Sequence, residues 1–145
     1  MNKYIIIILT CSSLIFTHCG GDSGDDIVDE FSATVNVTAS SSPVSEGAGS
    51  ASFTISLSES NTSGDALSIP FSVAGTASEN HDYTINESSV IIASNESSAK
   101  VEITITDDSE IEEDETAILT IGSLPSTLLA GNNSSATMII TDNDE

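Results

Sequence analysis

From Phe31 onward the chain alternates apolar and polar residues with a period of two. Successive side chains on a strand point to opposite faces, whereas a helix repeats every 3.6 residues, so this spacing predicts half-buried strands. Ala33, Val35 and Val37 share one face, as do Phe53, Ile55 and Leu57, and then Leu67, Ile69, Phe71 and Val73. The pattern resumes at Val90 to Ala93, at Val101, Ile103 and Ile105, at Ala117, Leu119 and Ile121, and at Ala136, Met138 and Ile140. Turn-rich stretches separate these seven strands: Ser40 to Ser50, Glu59 to Asp65, Gly75 to Asp82, Ala93 to Ser98, Asp107 to Asp114, and Gly122 to Asn133. With no Trp, four Phe and two Tyr, the core must come mainly from Ile, Val, Leu and Ala. Each strand has one dry face, which suits an all-β, immunoglobulin-like antiparallel sandwich of about seven strands over residues 31–145. Pro70 lacks a backbone donor, so its strand is expected at an edge or near a bulge.

The first residues read as a targeting segment. Lys3 precedes the apolar run Tyr4–Leu9, polar residues interrupt it at Thr10–Ser13, and Leu14–Phe16 leads to Thr17-His18-Cys19-Gly20-Gly21. This is short for a spanning helix of about 20 apolar residues. It resembles a bacterial lipoprotein signal peptide over residues 1–18, although Phe16 and His18 depart from the usual Leu and small residue before the Cys. The resemblance implies a diacylglycerol on the Cys19 thiol, hence a lipid membrane as partner and a bacterial envelope location, at the outer membrane or cell surface. Residues 19–30 would then be the lipidated Cys and an acidic flexible tether, with Gly20, Gly21 and Gly24 among Asp22, Asp25, Asp26, Asp29 and Glu30. Asp22-Ser23-Gly24 spells the aspartic protease tripeptide, but that chemistry needs two Asp on rigid loops, and no second copy is present. Losing Cys11 with the signal and Cys19 to lipid leaves no thiol for a disulfide. Bound metal is one of the usual substitutes in a small domain.

Twenty-three acidic residues face two basic ones, Lys3 and Lys100, for a formal net charge of −21. Phosphate binding needs clustered Lys and Arg, so nucleic acid is excluded as a partner. The acids avoid the strand centres. They gather at Glu46, at Asp82, in the run Asp107-Asp108-Ser109-Glu110-Ile111-Glu112-Glu113-Asp114-Glu115, and at Asp142, Asp144 and Glu145. Seven carboxylates in nine residues repel one another, and fixing several in one loop is costly unless a cation neutralises them. Zinc and copper favour His and Cys, which are scarce here, whereas Ca²⁺ takes six to eight oxygens. His81 is expected as a solvated loop side chain, Tyr83 as a core or corner aromatic pinning its turn, and Lys100 as a surface charge.

Five spaced pieces resemble the Calx-beta domain, the calcium-binding module of sodium/calcium exchangers, integrin β4 and many bacterial surface proteins. They are Val44-Ser45-Glu46-Gly47; Gly75-Thr76-Ala77 with His81-Asp82-Tyr83; Ile103-Thr104-Ile105-Thr106-Asp107-Asp108; Glu112-Glu113-Asp114-Glu115; and Ile139-Ile140-Thr141-Asp142-Asn143-Asp144. The resemblance implies Ca²⁺ at one tip of the sandwich, held by Glu46, Asp82, Asp107, Asp108, Glu112, Glu115, Asp142 and Asp144. Glu110 is expected to add a carbonyl or carboxylate, and Glu113 and Asp114 to face solvent. Two departures stand out: Ser78-Glu79-Asn80-His81 replaces the Gly that many members carry before Asp-Tyr, and Ala117 replaces an aromatic.

The sequence thus predicts a non-enzymatic, calcium-binding envelope module serving adhesion, protein interaction or structural spacing. The competing expectation is an acidic sandwich that acts as scaffold or interaction surface without a functional metal. Whether its partner is a protein or a surface glycan is left open. A carboxylate-pair glycosidase would need a cleft with sugar-stacking aromatics, and the few aromatics lie mostly at core phase.

Overall fold

The alternating segments become the long strands of a computed structural model, which describes residues 31–144. The signal peptide, Cys19 and the acidic tether lie outside the described residues, as does Glu145. The seven expected strands are β1 (Ala33–Ala39), β3 (Ser50–Leu57), β4 (Leu67–Gly75), β6 (Ser89–Ile92), β7 (Ser98–Ile105), β8 (Glu115–Ile121) and β10 (Ser135–Thr141). Three short strands join them: β2 (Val44–Ser45), β5 (Tyr83–Thr84) and β9 (Leu128–Ala130). No α-helix occurs among the described residues; a single 3-10 turn covers Glu46–Ala48.

Two five-stranded sheets result, ordered β5-β7-β3-β1-β9 and β2-β10-β8-β4-β6. The long strands pair antiparallel, while β9 and β2 pair parallel with β1 and β10 and extend each sheet by one edge. The inward residues of β1, β3 and β7, among them Val35, Phe53, Ile55, Val101 and Ile103, meet Ile69, Ile92, Leu119 and Met138 of the opposite sheet. All nine are fully buried, as the alternation requires of facing dry surfaces. Tyr83 is buried with them, in keeping with the core or corner role expected of it.

Pro70 sits not on an outermost strand but where β4 changes partner, next to the stretch of β4 edge that β6 leaves unpaired. Its first half, Leu67–Pro70, pairs with β6, and Phe71–Gly75 pairs with β8. The Pro70 carbonyl accepts from Gly122 N–H at 2.8 Å, so the missing Pro70 donor also faces β8 just past that strand's end. Opposite Gly122, the one ladder bond forgone is the return bond that a donor at position 70 would make to the Gly122 carbonyl.

The strands give the sandwich two distinct poles. One carries the Glu46 turn, the 76–82 and 106–114 loops, and residues 142–144. The opposite pole carries the start of β1, the 58–66 and 93–97 loops, and Asn61. Asn61 is fully buried, and its Nδ2 donates to the carbonyls of Asp65 (2.7 Å), Ile92 (3.2 Å) and Ala93 (3.2 Å). Its Oδ1 accepts from Ser63 Oγ (2.6 Å) and Ser63 N–H (3.2 Å). Asn61-Thr62-Ser63 has the letters of a glycosylation sequon, yet this amide is enclosed and already bonded.

Candidate metal centre

Each acidic segment reaches the first pole by a specific local device. The Glu46–Ala48 turn follows β2 and closes with Gly49 N–H on the Glu46 carbonyl at 3.3 Å; Gly49 has φ +73°, a conformation disfavoured for a residue with a Cβ. Glu46 is thereby buried at the head of the turn. After β4, the chain passes so near β8 that a Cβ on Gly75 would stand 1.9 Å from the Thr116 carbonyl oxygen. Thr76 and Thr116 exchange backbone-to-hydroxyl bonds, Thr116 N–H to Thr76 Oγ1 at 2.8 Å and Thr76 N–H to Thr116 Oγ1 at 3.2 Å. This close seam explains the Gly75-Thr76-Ala77 motif and brings the Asp82 loop beside Glu115.

Asp82 is buried, and its carboxylate accepts from Ser78 N–H while His81 Nδ1 lies 2.8 Å from its Oδ1. Its carbonyl accepts from Thr106 N–H at 2.9 Å, which fixes the loop to the end of β7 just before Asp107. Burial pushes the Asp82 carboxyl up, but the Ser78 amide, His81 and a proton shared with Glu115 outweigh it and hold the group below its ordinary range. Glu115 shows the other side of that coupling. Burial first, then Asp82, Glu112 and Glu46, push it up to about 7.

The C-terminal cluster is built on Asp142. Its Oδ2 accepts from Glu112 N–H at 2.8 Å and its Oδ1 from Asp144 N–H at 2.7 Å, bonds that lower its proton affinity, that of Asp144 most. Glu46 is raised by burial and by Asp142, Asp108, Glu112 and Asp144; Asp144 is raised by burial and by Asp142, Asp107 and Asp108. Asp108 folds back on itself, accepting from Glu110 N–H at 2.7 Å.

Two groups emerge whose ligand atoms lie within 4.8 Å of one another: Glu46 with Asp142 and Asp144, and Asp82 with Glu112 and His81. Glu115 interacts with members of both groups, and Asp107 and Asp108 act on the first. Glu110 is exposed and belongs to neither; it contributes its N–H to the Asp108 turn. Glu113 and Asp114 face solvent.

Two neighbours went unassigned from sequence. His81 is largely exposed, as expected, yet it pairs with Asp82, a contact that only the folded turn creates. Asn143 accepts Gly47 N–H at 2.9 Å and the Ser45 hydroxyl at 3.2 Å and donates to Asp107 Oδ1 at 3.2 Å, tying three segments together. Its place between Asp142 and Asp144 was the only sequence signal, and an amide among carboxylates does not by itself announce a clasp.

Three buried side-chain oxygens have no hydrogen-bond partner among the described residues: Glu46 Oε2, Glu115 Oε2 and Asp144 Oδ2. Such atoms are expensive when left alone, and hard oxygens close to other carboxylates are the donor set that a hard divalent cation takes. The residues therefore fit Ca²⁺.

The profile of the Calx-beta domain matches residues 29–144. Among solved structures, the apo form of the Calx CBD1 domain is similar at a TM-score of 0.62 and 19% identity, over 77% of this chain and 98% of that one. The Calx CBD2 domain gives 0.59 and 16%, over 77% and 88%. The calcium binding domain CBD12 of CALX1.1 gives 0.63 and 19%, over 75% and 45%. At these identities the structures support the shared fold. Comparison with curated proteins gives no significant match.

Proposed function

This chain belongs to the Calx-beta domain family, and from that premise we propose that it is a calcium-binding module whose site is the acidic pole. The observation that carries the reading is the trio of unpartnered buried oxygens on Glu46, Glu115 and Asp144. Carboxylates whose proton affinities are raised by burial and mutual repulsion gain most from a cation that offsets both. Glu46, Asp142 and Asp144 would form one part of the ligand set, and Asp82, Glu112 and Glu115 the other, with Asp107 and Asp108 completing it from the β7 end. Calcium would supply charge neutralisation and crosslinking of loops; the role is binding, with no reaction attached.

Calorimetric titration of chelator-stripped protein tests this. An extracellular module is expected to bind Ca²⁺ with Kd of about 10⁻⁴–10⁻³ M and to melt at higher temperature when loaded. Equal melting temperatures in chelator and in millimolar Ca²⁺ would refute it. Mg²⁺ should substitute poorly, because it prefers a compact octahedron and retains its water.

We further propose that Cys19 carries a lipid and that the module serves adhesion, interaction or spacing on a bacterial envelope. The start of β1 lies at the pole opposite the acidic one, so an N-terminal anchor would hold the calcium pole away from the membrane. Cys19→Ala should move the protein from the membrane fraction to the soluble one, and Cys11→Ala should not. Retention of the Cys19→Ala protein in membranes would rule out this anchor.

A further inference from the structure

The partner change at Pro70 leaves a stretch of sheet edge open. N–H and C=O of one strand residue point to the same side, and the side alternates along the strand. Pro70 faces β8 through its bond to Gly122, so Ser72 and Ala74 face β8 as well. Phe71 and Val73 face the other way, as the bond from Phe71 N–H to the Ser88 carbonyl at 2.9 Å confirms. Beyond Phe71, β6 has no residue to offer, because its pairing with β4 stops at Pro70 and Ser89. Val73 N–H and C=O consequently have no backbone partner among the described residues.

A cleft of about 400 Å³ opens beside this edge, lined by Phe71, Val73 and Ile85 among others and flanked by Glu79 and Glu87. It lies where the edge of one sheet, β5, leads through Ile85–Ser88 into the edge of the other, β6. Apolar side chains and two carboxylates in the cleft lining, with a free strand edge alongside, are three elements of one recognition mode, strand addition.

We propose that the β4 edge at Val73 binds an extended peptide segment that carries Lys or Arg at alternate positions. Main-chain pairing with Val73 supplies the direction. Apolar side chains of the peptide enter toward Phe71, Val73 and Ile85, and its cations meet Glu79 and Glu87. A second copy of this chain is the wrong occupant: with a net charge of −21, two edges would meet against strong like-charge repulsion. The proposal does not rest on the calcium reading: Glu79 lies in the 76–82 loop, but neither it nor Glu87 belongs to the carboxylate groups offered as calcium ligands.

The test uses an acetylated, amidated hexapeptide of alternating Val and Lys, with alternating Val and Glu as comparison. Both are titrated in excess Ca²⁺, so that the acidic pole is not an open cation site. Expected are slowed hydrogen exchange at the Val73 amide, no binding of the Glu peptide, and affinity at least about fivefold weaker in Glu79→Gln with Glu87→Gln. Both glutamates are exposed, so that variant keeps the fold. Unchanged Val73 exchange at millimolar Lys peptide would overturn the proposal and leave the carboxylates as guards against edge aggregation. Equal binding of the two peptides would overturn it too. So would binding lost in Asp107→Asn with Asp108→Asn but retained in the Glu79 and Glu87 variant, which would place the peptide on the tip.

Discussion

Asn61→Ala should be among the most damaging single changes far from the acidic pole. The amide group donates to three carbonyls, and the bond to Ile92 lies wholly in the interior while those to Asp65 and Ala93 are part-buried. A buried carbonyl stripped of its donor costs about 1–3 kcal/mol, and a part-buried one that can reach water costs about 0.5–1 kcal/mol. Adding the lost Ser63 turn brings the expected loss to about 4 kcal/mol, a large share of the ~5–15 kcal/mol typical of a domain. Urea unfolding measures it directly: the midpoint should fall with the slope unchanged, and the melting temperature should drop by about 15 °C. Ser63→Ala removes only the contacts on Oδ1 and should cost about 1 kcal/mol or less. Asn61→Asp keeps the shape but turns a carboxylate toward three carbonyl oxygens, so it should be at least as harmful as Ala. Calcium affinity of the folded fraction should not change, because the amide sits at the other pole. A loss under about 1 kcal/mol for Asn61→Ala, or an equal loss for Ser63→Ala, would refute the view that this amide clamps the 58–66 loop to β6.

Three further outcomes follow from the acidic pole. Replacing Asp107 and Asp108 by Asn should lower calcium affinity at least about tenfold while raising stability in chelator, whereas Glu113→Gln with Asp114→Asn should leave most binding intact; paired calorimetric titrations and melts distinguish them. Glu115 is raised to about 7 in the fold from its ordinary value of 4.5, so the folded chain keeps a proton that the unfolded chain has lost between those values. Its stabilising contribution is complete below pH 4.5 and disappears as pH rises to about 7, so melting temperature in chelator should fall over that window. Glu46, Asp144 and His81, all raised, act in the same direction, while Asp82 and Asp142 matter only at more acidic pH. Saturating Ca²⁺ should flatten the decline by holding the carboxylates ionised, and a melting profile measured at both conditions checks it. Gly75→Ala forces the 76–82 loop away from Thr116 and should cost about 3 kcal/mol in urea unfolding, with calcium binding weakened as Asp82 moves.

The long strands were legible because seven to nine residues of period-two alternation leave little ambiguity, as β1, β4 and β10 illustrate. Val44–Ser45 and Leu128–Ala130 were not, since two or three residues have no period; what makes them strands is the open edge of β10 or β1 beside them. The seat of Pro70 was illegible for a related reason: whether a strand changes partner midway depends on how long its neighbours are. At the acidic pole the residue types pointed to a hard cation, and the family resemblance selected the carboxylates. The division into two groups, the exposure of Glu110 and the clasp made by Asn143 depend on turns at Asp108 and Gly47 that hold no periodic signal.

The two groups proposed to hold calcium differ in what they would join. Glu46, Asp142 and Asp144 extend from β2 and β10 of one sheet, whereas Asp82 precedes β5 of the other sheet and Glu112 lies in the crossing from β7 to β8. An ion held by the second group would act as a rivet between the sheets at one end, with the Asn61 crossover fastening the other. Under tension, two sheets joined only by apolar side chains can slide or peel from an end, because those contacts break a few at a time. With both ends pinned, the core contacts would have to fail together, and calcium would set the force the sandwich withstands.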